Sequence, residues 1–107
     1  MKVIEIQPLP SQVFQVVLDG QECTISLFQR LGSMYLDLTV GTSVICEGAI
    51  CQYGADIVQS KSSNFDGSLR FYDDQGLSAP KWEEIGSRYY LLYFSEGETM
   101  PEALGDG

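Results

Sequence analysis

The chain contains no histidine. It therefore lacks the one side chain whose ordinary pKa suits acid–base work near neutral pH, which is also the commonest metal ligand. Ser-His-Asp and Cys-His constellations are excluded outright. Cysteine is scarce: Cys23, Cys46 and Cys51 are an odd number with no metal-ligand spacing. Cys46 and Cys51 lie five apart, a spacing that points them to opposite faces of one continuous strand and keeps them from bridging or sharing a metal. All three are expected to be reduced and to pack as small buried hydrophobes. No stretch nears the roughly 18 consecutive apolar residues of a spanning helix. The N-terminal residues Met1-Lys2-Val3-Ile4-Glu5-Ile6-Gln7-Pro8 lack the apolar core and cleavage site of a signal peptide, so synthesis and folding in the cytosol are expected. Basic residues are few as well. Six Lys and Arg against 15 Asp and Glu leave a net charge of −9, which disfavours nucleic acid and anionic membranes as partners. The same field suits solubility or docking onto a basic surface.

What is present is β-structure. The 107 residues suffice for one domain, and 44% hydrophobic content with six Tyr and five Phe argues for a packed core. Phe14, Val16 and Leu18 fall on one face of a strand, and Asp19-Gly20 supplies the turn of a two-residue hairpin. Cys23, Ile25 and Leu27 then share a face opposite Glu22, Thr24 and Ser26. Leu31-Gly32-Ser33 is the next turn. It is followed by a strand with Met34, Leu36, Leu38 and Val40 on one side and Tyr35, Asp37 and Thr39 on the other. Residues 44–51 read as a further strand in which Gly48 marks a bulge or a close backbone approach.

Val3-Ile4-Glu5-Ile6 is a short strand stopped by Pro8 and Pro10. Ile57-Val58 reads as a short strand or a helical turn, and residues 60–64 have loop composition. Residues 68–73 form a strand, and one helical turn is expected at residues 82–85. Tyr89-Tyr90-Leu91-Leu92-Tyr93-Phe94 is apolar on both faces and is predicted to be central or covered on both sides. The expected fold is all-β: a small antiparallel sandwich or barrel of about seven strands with at most one short helical turn. Residues 1–95 form a single β domain, and residues 96–107 an acidic, flexible tail.

Chemistry is hard to find in this chain. Asp37, Glu47, Asp56, Asp66, Asp73, Asp74, Glu83 and Glu84 are available for paired-carboxylate catalysis, but acids at turns usually shape the backbone. Asp66-Gly67 and Asp73-Asp74-Gln75-Gly76 are oxygen-rich without matching a twelve-residue calcium loop. Trp82 with Tyr89, Tyr90 and Tyr93 suits a carbohydrate platform, a core or a protein interface. No catalytic residue, cofactor or metal site is assigned.

The order of motifs does carry a resemblance. Ile4-Glu5-Ile6 precedes Pro8-Leu9-Pro10-Ser11-Gln12. Leu18-Asp19-Gly20-Gln21 and Tyr35-Leu36-Asp37-Leu38 follow, then Gly48, Gly67-Ser68-Leu69, Asp73-Asp74 and Pro80. Gly86-Ser87-Arg88-Tyr89-Tyr90-Leu91-Leu92-Tyr93 closes the series. From about Ile4 to Phe94 this order resembles the small plug protein of contractile-tailed phage baseplates. The chain departs in its three Cys and in the polar stretch of residues 59–64.

The resemblance implies a non-enzymatic virion protein of the tail baseplate, assembled in the host cytoplasm. It would plug or brace the central hub against hub, spike and tube proteins, with self-association in the assembly left open. Two alternatives stand beside it: a small β-barrel binding a ligand or carbohydrate, and a tail assembly chaperone absent from the particle. Interface candidates are Tyr35 and Asp37 on the polar side of a long strand, and Trp82 and Arg88, residue types favoured at hot spots, beside the last connection.

Overall fold

The computed structural model describes residues 1–58, 65, 67–95 and 97–98. The polar stretch at residues 59–64 and all of the expected tail except residues 97 and 98 lie outside the described residues. Seven strands appear: β1 (Lys2–Ile4), β2 (Ser11–Leu18), β3 (Gln21–Arg30), β4 (Ser33–Val40), β5 (Ser43–Ile50), β6 (Ser68–Asp73) and β7 (Tyr89–Phe94). The helical turn expected before β7 is a single 3-10 turn, Trp82–Glu84. β2, β3, β4 and β5 form a four-stranded antiparallel meander, and β1, β7 and β6 a three-stranded antiparallel sheet.

The two sheets share one core, which decides for a sandwich. Leu18, Cys23, Ile25, Leu27, Met34, Leu36 and Leu38 contribute from the first sheet. Ile4, Leu69, Phe71, Tyr89, Leu91 and Tyr93 contribute from the second. In β3 and β4 every second residue is buried, as period-2 patterning requires. β7 lies between β1 and β6, and both its inward residues and its outward Leu92 and Phe94 are buried. That placement is what its unbroken apolar sequence predicted.

Two hairpins use the same turn with unequal residues. Asp19-Gly20 has φ of 51° and 77°, and Leu31-Gly32 has 52° and 84°. Positive φ at both positions is the geometry of the type I′ turn, which Asp tolerates and Leu does not. Asp19 also turns its carboxylate inward, accepting from the Tyr93 hydroxyl at 2.6 Å and the Ser95 hydroxyl at 3.1 Å. These bonds hold its pKa below the usual carboxylate range. Leu31 makes no such use of its position and is 96% exposed. Leu31→Asn is therefore expected to stabilise the chain by about 0.5–1 kcal/mol, read from the urea midpoint.

β5 departs from simple alternation. Its pairing with β4 slips on either side of Leu38, and Gly48 has φ of 60°. The Asp37 carboxylate fixes the first slip by accepting the Gly48 N–H at 2.6 Å. The bulge corrects the expectation for the cysteines. Cys46 opposes Leu38, Ala49 opposes Leu36, and the Cys51 N–H reaches the Met34 carbonyl at 2.9 Å. An extra residue resets the alternation, so Cys46 and Cys51 both turn to the core instead of to opposite faces. Burial, and then the neighbouring Cys46, push the Cys51 thiol up to about 12.

Ile57 and Val58, expected as a strand or helical turn, are neither. They are buried in an irregular segment laid along β6. Tyr53 bridges Phe71 in parallel, the Gly54 N–H reaches the Phe71 carbonyl at 3.1 Å, and the Ile57 N–H reaches the Leu69 carbonyl at 2.8 Å. Asp56 closes the turn, accepting from the Val58 and Leu69 N–H groups at 3.0 and 3.3 Å.

Candidate functional site

The outward face of the four-stranded sheet carries an apolar group among its polar residues. The β2–β3–β4–β5 register lines up Ser11, Phe28, Tyr35 and Ile50 across it. Phe28 and Tyr35 stack at 6.0 Å with 25° between their planes, and the Arg30 guanidinium lies 5.6 Å from the Phe28 ring centre. Ile50 is 46% exposed, and along β2 the outward Val13 and Val17 are 68% and 53% exposed. An aromatic pair with a stacked arginine and exposed aliphatic neighbours is the composition of a protein-docking surface. Val13 and Val17 were not singled out from sequence. The signal was the presence of valine in both phases of β2, where a strand with one wet face should alternate.

The four sequence-derived candidates fall in three places. Tyr35 lies in the aromatic row. Asp37 is on the same face, but its carboxylate is engaged by the Gly48 N–H. Trp82 stands apart, packed against the core beside a small recess that it lines with Gln29, Gly32, Met34, Pro80, Lys81 and Glu83. Arg88 belongs to an internal network. Its Nε and Nη2 donate to the Asp73 carboxylate at 2.7 and 2.9 Å, and its guanidinium lies 5.0 Å from the Tyr89 ring centre.

The oxygen-rich turn after β6 is likewise internal. Asp73 also accepts from the Gln75 N–H at 2.9 Å, the Ser78 N–H at 2.9 Å and the Ser78 hydroxyl at 3.1 Å. The Ser78 hydroxyl meets the Tyr89 hydroxyl at 2.7 Å. The Arg88 guanidinium, followed by these N–H donors, holds the Asp73 carboxyl well below the usual carboxylate range. With five donors converging on it, Asp73 has no lone pair directed at a cation. The aromatic cluster is no stacking platform either, because Tyr89 and Tyr93 are buried in the core. Tyr90 lines a different recess, with Val3, Ile4, Glu5 and Gly86. Among the described residues no group of three Cys, Asp or Glu side chains is placed to hold a metal ion.

Chemically, this arrangement offers contact area. Residues 1–96 match the family described as cyanophage baseplate Pam3 plug gp18. No curated protein matches the chain.

Proposed function

Because this chain belongs to the cyanophage baseplate plug family, a structural component of the phage tail baseplate, we propose that it plugs or braces the central hub of a contractile tail. It does so by protein contacts alone, beside hub, spike and tube proteins, after assembly in the host cytoplasm. Residues 1–95 act as one β domain and residues 96–107 as its acidic tail. The observation that carries this reading is the family match over residues 1–96. The outward row of half-buried Phe28 and Tyr35 with exposed Ile50 supports it as the kind of surface such contacts use, with Tyr35 as the central residue. Trp82 contributes at the rim of its recess, Asp37 supports that surface through the Gly48 N–H, and Arg88 braces the other sheet through Asp73.

Charge supports it further. Of the described basic residues, Arg88 is paired with Asp73, Arg70 donates to the Gly54 carbonyl and Lys2 to the Val17 carbonyl, while Arg30 and Lys81 are exposed. The net charge of −9 favours a basic neighbour. Co-expression with the hub, spike and tube proteins of the same phage, followed by size-exclusion chromatography with light scattering, tests the reading. A stable complex that weakens as salt rises is expected. A monomer that passes every tail protein by would return the weight to a ligand-binding barrel or an assembly chaperone.

A further inference from the structure

The four outer strands of the two sheets are not equally defended. β1 is three residues long and carries a lysine. β5 is broken by its two slips and Gly48. β6 is covered along its outer side by residues 53–57. β2 is the least protected among the described residues: it runs eight residues, pairs with β3 without a bulge, and contains no charged residue and no proline, and Lys2 guards only its Val17 end. Natural sheets blunt their edges with short strands, charges, prolines, bulges or a covering segment, and a long regular stretch without them is a template for another strand.

The phase of that edge follows from the turn. The two-residue loop Asp19-Gly20 closes on the pair Leu18–Gln21, so Gln12, Phe14, Val16 and Leu18 exchange backbone bonds with β3. The bond from the Gln29 N–H to the Pro10 carbonyl, 2.9 Å, continues the same phase. The N–H and C=O groups of Ser11, Val13, Gln15 and Val17 therefore point away from the sheet. Of these carbonyls, that of Val17 accepts the Lys2 ammonium at 3.1 Å. The exposed Val13 and Val17 side chains flank the row on the outward face, and the half-buried Phe14 and Val16 flank it on the core side.

We propose that β2 is the site at which a neighbouring baseplate protein adds a strand, through an extended segment with apolar residues at alternate positions and Lys or Arg at its ends. This rests on the plug reading above. Backbone pairing along Ser11, Val13 and Gln15 supplies the affinity, and the valines select apolar neighbours. Charge chooses the occupant. Exposed Glu22 and Lys2 share one end of β2, Glu5 is exposed on the stretch leading from β1 to β2, and the chain as a whole carries −9. A second copy would bring another −9 chain to this edge, whereas a basic segment is attracted to it.

Gln15→Pro isolates the idea. Its N–H points outward, so proline there deletes a donor to the added strand and no bond to β3. Val13→Lys is a second variant that leaves the backbone intact and places a charge on the edge. Leu77→Lys, on the 69% exposed Leu77 away from β2, is the control. Each would be co-expressed with the hub, spike and tube proteins of the same phage and the retained complex measured, with thermal unfolding of the free chain as the check on folding. The wild type and Leu77→Lys should be retained equally, and both β2 variants should lose at least about tenfold in retention. Undiminished retention of Val13→Lys, or of a folded Gln15→Pro, overturns the proposal while leaving the plug reading intact. A free chain that dimerises through β2, abolished by Gln15→Pro, overturns the assigned occupant. Failure of the wild type to bind any of these proteins removes both the plug reading and this one.

Discussion

Asp73→Asn is expected to cost about 3 kcal/mol of folding stability, measured by urea unfolding at neutral pH. The Asp73 side chain is fully buried, and every bond it makes is accepted from a donor. An amide in its place sets its NH2 donor against an Arg88 N–H and either the Gln75 or the Ser78 N–H. It also removes the negative charge that compensates a partly buried guanidinium. The acid limb gives an independent check. The folded carboxyl lies well below its ordinary value of 3.8, so its stabilising contribution is present in full above that value. It drains away as the pH falls from about 5 toward the lower, folded pKa. The gap between wild type and Asp73→Asn should thus be widest at neutral pH and narrow in acid. A gap that stays constant down to pH of about 2 would mean that the ion pair contributes nothing.

Gly67→Ala is expected to be comparably damaging for a different reason. A Cβ at Gly67 would sit 2.5 Å from Cε1 and the hydroxyl oxygen of Tyr93 and 2.7 Å from the Phe94 carbonyl oxygen. The Tyr93 ring has little freedom to yield. Its hydroxyl donates to Asp19 across the sandwich at 2.6 Å, and its ring packs 5.8 Å from that of Phe65. Relief therefore requires breaking the Asp19 bond or shifting β7, at about 3 kcal/mol. For a domain of this size that is roughly 10–20 °C in Tm by calorimetry. A double-mutant cycle with Tyr93→Phe locates the strain, because removing the hydroxyl should cost less in the Gly67→Ala background than in the wild type. Strict additivity would show that the clash lies elsewhere.

Local grammar made much of this fold legible. Asp19-Gly20 and Leu31-Gly32 announce their turns, and the inward residues of β2, β3 and β4 are those the alternation selects. The central position of β7 follows from its apolar residues in both phases. Strand order and facing are not local properties, which is why sandwich and barrel could not be separated from sequence. Gly48 signalled a bulge, but its effect on parity depends on where β4 opposes it, so Cys46 and Cys51 were placed on the wrong sides. The candidate site was legible only in part. The outward position of Tyr35 follows from its strand phase, whereas the engagement of Arg88 with Asp73, 15 residues away, needs the β6–β7 pairing to bring the two together. Asp37 likewise looked free because its partner is a backbone N–H on the next strand.

The slips in β5 bear on polymerisation. A chain can propagate into a fibre through its sheet only if both outer strands accept partners, since head-to-tail growth needs a donor edge and an acceptor edge on the same molecule. Here the four-stranded sheet is regular along β2 and broken along β5, with Asp37 and Gly48 holding the break in place. A strand added at one side therefore finds no continuation at the other. The molecule ends a row of strands where a symmetric sheet would extend it, a property suited to a stopper.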